Sequence, residues 1–128
     1  MKKIYLSIPY SFNTTLSFEI ANRLTADLML KGFAVFSPIS HSHPVCRHMN
    51  HDLKLDHEFW MNQDLPWIDC VDTVLVVEIQ GLNKSGRQLV EESRGVQAEI
   101  KRAIEKGKFI EYVQTDPSLI QEIYNQYL

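Results

Sequence analysis

Apolar positions along the chain change period several times, and each change marks an element. Lys3-Ile4-Tyr5-Leu6-Ser7-Ile8 is short, mostly apolar and β-prone, and Pro9 cannot continue a central strand, so a first strand ends there. After the polar stretch Tyr10 to Thr15, Leu16, Ile20, Leu24 and Leu28 recur at every fourth position, and Gly32 supplies a stop just past the last turn; the pattern predicts an amphipathic helix. Phe33-Ala34-Val35-Phe36 follows at once and meets Ser37-Pro38, which predicts a second strand and a right-handed strand-helix-strand unit.

Residues 37 to 57 show no period, and a stretch of that length reads as a functional loop. Between Glu58 and Cys70, Phe59, Trp60, Trp67 and Ile68 favour helix, while Pro66 should break it into two short pieces. Asp72 to Ile79 is an unbroken Val/Leu run, the pattern of a parallel strand buried on both faces. Gln80 to Glu92 is polar, contains Gly81 and Gly86, and reads as a loop with a helical turn at Gln88 to Glu92. Beyond it a helix buries Val96, Ile100, Ala103 and Ile104 and ends at Gly107, with Lys101, Arg102 and Lys106 toward the negative end of its dipole. Lys108 to Val113 makes a fourth strand, and Asp116-Pro117 opens a last helix through Leu119, Ile120, Ile123 and Tyr127. Alternating strands and helices of this kind predict a flavodoxin-like or Rossmann-like three-layer α/β sandwich on a parallel sheet of four to five strands.

Composition narrows what such a domain does. With 128 residues and 45% hydrophobic content, residues 1–128 fit a single domain with a real core. A net charge of −3 and the lack of a long Lys/Arg run argue against a nucleic-acid polymer as partner. Two cysteines make no disulfide framework, and no stretch reads as a signal or a membrane span, so a cytoplasmic protein without a membrane partner is expected.

The most telling residue is Glu99. It lies one turn inside the helix that follows the third strand, near the carboxyl edge of the sheet, where open α/β folds bind ligands. The start of that helix, with Ser93, Gly95 and Val96, offers N–H groups to an anion, and its field favours an ionised Glu99. Two plainer roles compete: Glu99 as a partner of the helix dipole, and Ser93 as the N-cap.

Several segments together resemble the nucleoside 2-deoxyribosyltransferase superfamily, especially its 2′-deoxynucleoside 5′-phosphate N-glycosidase branch. Ile4-Tyr5-Leu6-Ser7-Ile8-Pro9-Tyr10 is similar to the family's first strand and substrate loop. Asp64-Leu65-Pro66-Trp67-Ile68 is similar to its D-x-x-W segment, Ser93-Arg94-Gly95-Val96-Gln97-Ala98-Glu99 to its S-x-G-V-x-x-E segment, and Gly107-Lys108 to the G-K after the next helix. Phe36-Ser37-Pro38-Ile39-Ser40-His41-Ser42-His43-Pro44 resembles a bacterial and phage group of that superfamily whose function is largely unassigned.

The resemblance implies a retaining mechanism without a cofactor. Glu99 attacks C1′ and expels the base, and Asp64 donates the proton, the two carboxyls standing about 5 Å apart as in retaining glycosidases. Tyr5 matches the tyrosine that contacts the nucleophile, and Asp64 has a competing role as cap of the helix containing Pro66. Ser7, Pro9, Tyr10, Ser11, His43, Ser93 and Gly95 are the expected substrate contacts, with Arg87 or Arg94 as a source of positive charge. The partner is a nucleoside or its 5′-monophosphate. Serine at position 93, where the nucleoside-using transferases have aspartate, tilts toward the phosphate. A homodimer or higher homo-oligomer is also implied. The loop Gln80 to Glu92 is longer than the family pattern, and no Gly-rich cradle follows the first strand.

Two rival functions stand beside this one. His41, His43, His48, His51 and His57 with Cys46 allow a metal-dependent hydrolase, although no paired C-x-x-C or H-E-x-x-H spacing is present and no metal is the favoured expectation. A non-catalytic nucleotide-binding or sensing module is the other. Trp60 and Trp67 suit stacking on a base, with core packing the favoured role.

Overall fold

The computed structural model describes residues 1–54 and 56–127; of Leu53, Lys54 and Tyr127 the backbone alone is described. The elements run β1 (Lys3–Ser7), α1 (Thr14–Leu30), β2 (Ala34–Phe36), α2 (Pro38–Cys46), α3 (His51–Lys54), α4 (His57–Ile68), β3 (Thr73–Glu78), α5 (Gly86–Glu92), α6 (Arg94–Glu105), β4 (Phe109–Gln114) and α7 (Ser118–Tyr127). The four strands pair in parallel in the order β2-β1-β3-β4. Helices cover both faces, giving the expected three-layer α/β sandwich.

Period-two alternation sorts the core. Leu6 and Ile8 of β1 and its continuation, with Val77 and Ile79 of β3 and its continuation, pack with Leu16, Ile20 and Ala21 of α1 and with Ile120 and Ile123 of α7. Tyr5, Val74 and Val76 point the other way, onto Ile68 of α4 and Val96 and Ala103 of α6. The α1 stripe is as the spacing requires, Leu24 and Leu28 packing against the first cluster. Gly32 and Gly107 follow α1 and α6 at φ 95° and 66°, a left-handed region where a side chain is strained. The apolar stripe expected in the last helix holds for Leu119, Ile120 and Ile123; Tyr127's side chain lies outside the described residues.

Three expectations need correction. The stretch 37 to 57 is not simply a loop: Ser37 caps α2 through its side chain, with Pro38 in the first turn. Pro66 does not split α4, because it falls in the last turn and the carbonyl it leaves without a donor belongs to exposed Asn62. Ile104 is 66% exposed. The buried face of α6 is Val96, Glu99, Ile100 and Ala103, and Ile104 projects about 90° from its centre.

The polar segment after β3 folds into α5, longer than the single turn expected, with Ser85 as its cap. Gly86 is its closest approach to the sheet: a Cβ there would stand 2.8 Å from the Glu78 carbonyl carbon and from Glu78 Cβ. Gly86→Ala should therefore push α5 off the end of β3 and destabilise the fold by about 1–3 kcal/mol, read as a lower urea midpoint at unchanged slope. An unchanged midpoint would show that α5 can shift freely.

Candidate active site

In a sheet ordered 2-1-3-4, successive connections leave β1 toward opposite edges, so a crevice opens between the carboxyl ends of β1 and β3. Glu99 lies there. The α6 helix starts at the N-cap Ser93, whose hydroxyl accepts the Val96 N–H at 3.2 Å. One turn later Glu99 occupies a position on the face that packs on the sheet, and its residue is 5% exposed. Two hydroxyls from β1, one strand turn apart on the same face, meet its carboxylate. Tyr5 Oη donates to Oε2, and Ser7 Oγ donates to Oε1 at 2.7 Å.

Both oxygens of Glu99 thus have a donor, yet burial outweighs them and pushes its pKa up to about 8, with the charge of Asp64 adding to the rise. Burial also raises Tyr5 well above the usual phenol range, the neighbouring Glu99 and Asp64 charges adding to it, so Tyr5 stays a donor. Asp64 is not a helix cap. Asp56 fills that role, its side chain accepting the Phe59 N–H, and Asp64 sits in the body of α4 facing inward. Burial pushes its pKa up to about 6, which leaves a carboxylic acid that loses its proton close to neutrality.

A cavity of about 710 Å³ opens over these groups, within the usual range for small-molecule sites. Glu99 and Asp64 form part of its wall, as do Pro9, Tyr10, Ser11, His43, Ser93 and Gly95. The loop after β1 is fixed from behind, because Ser17 Oγ of α1 donates to the Pro9 carbonyl at 2.7 Å. Tyr5 and Ser7 lie beneath Glu99. Ser7 is fully buried and its hydroxyl is committed to Glu99, so it supports the carboxylate instead of meeting a phosphate.

His43 is held between two aromatic residues. Its Nδ1 is 2.6 Å from Tyr10 Oη, and its ring stacks on Phe18 with centroids 4.2 Å apart. Burial lowers its pKa, helped by the Arg47 charge, so the ring is neutral at neutral pH; burial pushes Tyr10 up to about 12. Positive charge at the cavity comes instead from Arg94 and Lys84, and Lys84 is paired with Glu92 at 2.8 Å. Arg87 is directed elsewhere, toward Glu78 at 3.9 Å.

The histidines do not converge. His43 and His57 line the cavity, and among the described residues no three His, Cys, Asp or Glu side chains form a group that could hold a metal ion. Neither tryptophan belongs to the core: Trp67 is 50% exposed and stacks on Phe36, and Trp60 is half-buried on the cavity wall. Phe18 and Lys84 were not legible as site residues, and His57 was read only as a member of the histidine cluster. Phe18 comes from α1, Lys84 from the segment between β3 and α5 and His57 from the start of α4, and they share no spacing with the carboxylates.

An ion pair links α4 and α6, the helices that carry Asp64 and Glu99. Arg102 of α6 donates to both carboxylate oxygens of Asp69 at the end of α4, at 2.9 and 2.7 Å. Among the described residues no helix is long and apolar enough to cross a membrane. No curated protein matches the chain. A family model described as a domain of unknown function, DUF1937, matches residues 2–113, and the chain belongs to that family.

Proposed function

We propose that the protein cleaves or transfers the N-glycosidic bond of a deoxynucleoside or its 5′-monophosphate through a covalent glycosyl-Glu99 intermediate. The observation that carries this reading is a buried carboxylate, braced by Tyr5 and Ser7, facing a cavity that also holds a second carboxyl with a raised pKa. Two carboxyls whose environments hold them at different pKa values are the equipment of retaining glycosyl transfer. The resemblance of the S-x-G-V-x-x-E and D-x-x-W segments to the nucleoside 2-deoxyribosyltransferase superfamily points the same way.

The steps follow from the groups present. Ionised Glu99 attacks C1′, the C1′–N bond breaks with its electron pair on the base, and Asp64 gives its proton to the base nitrogen. Water or a second base then attacks C1′, giving its proton to the Asp64 carboxylate, and Glu99 leaves as a carboxylate. The hydroxyls of Tyr5 and Ser7 orient Glu99 and stabilise its charge when it departs. A 5′-phosphate would meet the first turn of α6 and Arg94, which pairs with no carboxylate among the described residues. Homodimerisation belongs to this reading through the resemblance alone.

The reactive form needs Glu99 ionised and Asp64 protonated. Their pKa values stand at about 8 and about 6, so this form is a minority one, and the pair titrates together. With a neutral deoxynucleoside, kcat/KM should rise to about pH 6, run level, and fall above about pH 8. Initial rates of base release across pH check this. A rate that keeps climbing into alkaline solution would remove Asp64 as the proton donor.

The second reading, a binding module without turnover, is favoured by one observation. With a pKa of about 8, Glu99 is ionised in only about a tenth of molecules at neutral pH. Chromatography of deoxynucleosides, ribonucleosides and their monophosphates after incubation decides between the two: free base supports the glycosidase, and binding without free base supports the module.

A further inference from the structure

Asp64 faces two spaces. Besides the main cavity it lines a hollow of about 220 Å³, and Trp60, Ser42 and Asp64 belong to both, so the two spaces join at this carboxyl. The residue is 9% exposed, and among the described residues it forms no hydrogen bond and no ion pair. Burial alone raises its pKa, to about 6, so at neutral pH most molecules carry an uncompensated negative charge there.

The rest of the hollow is built largely from aromatic rings. Phe36 and Trp67 stack with centroids 4.7 Å apart, and Phe59 and Trp60 meet edge to face at 5.1 Å. Among the described residues no Lys or Arg borders it. A desolvated carboxylate among aromatic rings suits an organic cation, because the ring faces are electron-rich and the carboxylate supplies the opposite charge. A neutral base uses Asp64 as an acid and gives the aromatic walls nothing to do.

As a proton donor to a purine, Asp64 would stand against N7. An alkyl group already on N7 takes the same direction, and it gives the ring the positive charge that protonation would have supplied. The group then points past Asp64 into the hollow, whose volume equals roughly seven waters at their liquid share.

We infer that Asp64 and the hollow receive the positively charged edge of an N7-alkylated purine, and that nucleosides of such cationic bases are substrates of this site. The inference rests on the N-glycosidase reading above. Ionised Glu99 attacks C1′, the C1′–N9 bond breaks with its electron pair moving into the ring, and a neutral 7-alkylpurine departs without taking a proton. Water then attacks C1′, its proton passes to the Asp64 carboxylate and on to solvent, and Glu99 leaves as a carboxylate. A cationic base thus draws on the ionised form of Asp64, the majority form at neutral pH.

Glu99→Gln cannot form the glycosyl ester, so it separates binding from turnover. Calorimetric titration of this variant in weakly acidic solution, where 7-methyl-2′-deoxyguanosine is a cation, should show that compound binding about 10-fold or more tighter than 2′-deoxyguanosine. Adding Trp67→Leu at the exposed rim should remove most of the difference by weakening the methylated compound alone, and adding Asp64→Asn should do the same. Equal affinities, or a difference that survives either substitution, would overturn the inference and leave the glycosidase reading standing. The wild type should release 7-methylguanine faster than it is lost spontaneously. Release of guanine but not of 7-methylguanine would overturn the cationic substrate alone, and release of neither would overturn both readings.

Discussion

Glu99→Ala should abolish release of free base, with a loss on the order of 10⁴-fold or more, while the protein keeps its fold. The side chain forms the bond to C1′, and neither Tyr5 nor Ser7 can replace it, since burial holds Tyr5 protonated. Chromatography of base released under single-turnover conditions measures the loss. Wild-type turnover in the purified variant would end the assignment.

Glu99→Gln adds a stability readout that separates a reactive group from a structural one. The pKa of Glu99 is raised from 4.5 in an ordinary setting to about 8 in the folded chain. Between those values the unfolded chain is ionised there and the folded chain is not, so the folded form binds more protons and loses stability as pH rises. Above about pH 8 the loss is complete. Asp64, also raised, to about 6, acts in the same direction over a narrower window. Glutamine carries no charge, so Glu99→Gln should gain stability relative to the wild type as pH rises, on the order of a few kcal/mol in alkaline solution. Denaturant midpoints at several pH values check it. A site that is more stable without its carboxylate is one whose stability is sacrificed for chemistry.

Asp64→Asn should cost about 10²–10⁴-fold in base release, because the base then leaves without a proton. The loss should depend on the base. A base that is stable as an anion, such as 5-fluorouracil, needs less help and should lose less than adenine does. The fall in rate above about pH 8 should also disappear, since the group whose deprotonation causes it is gone. A uniform loss across bases with the alkaline limb intact would make Asp64 a positioning residue.

Part of the site could be read from local pattern. Glu99 was visible because it stands just inside a helix that follows a buried strand, at the carboxyl edge of the sheet; that it shares the buried face of α6 with Val96, Ile100 and Ala103 came from the structure. Tyr5 was named through the family resemblance and Ser7 as a substrate contact; that both turn to one face of β1 and meet Glu99 came from the structure. Asp64 was ambiguous. Pro66 suggested a helix start beside it, and the Asp56 cap that frees Asp64 for the cavity is a choice between two aspartates that spacing cannot make. The tryptophans were misjudged for a related reason: size and apolarity favour burial, but α4 turns Trp67 toward Phe36 at the rim.

By itself the sequence determined the alternation of strands and helices, the helix ends at Gly32 and Gly107, and the acidic position just inside α6, because each depends on periods and backbone preferences acting over a few residues. Strand order, the meeting of β1 hydroxyls with an α6 carboxylate 92 and 94 residues away, and the raised pKa values of Glu99 and Asp64 belong to the tertiary structure. Removal from water is a property of everything packed around a group. No local spacing records it.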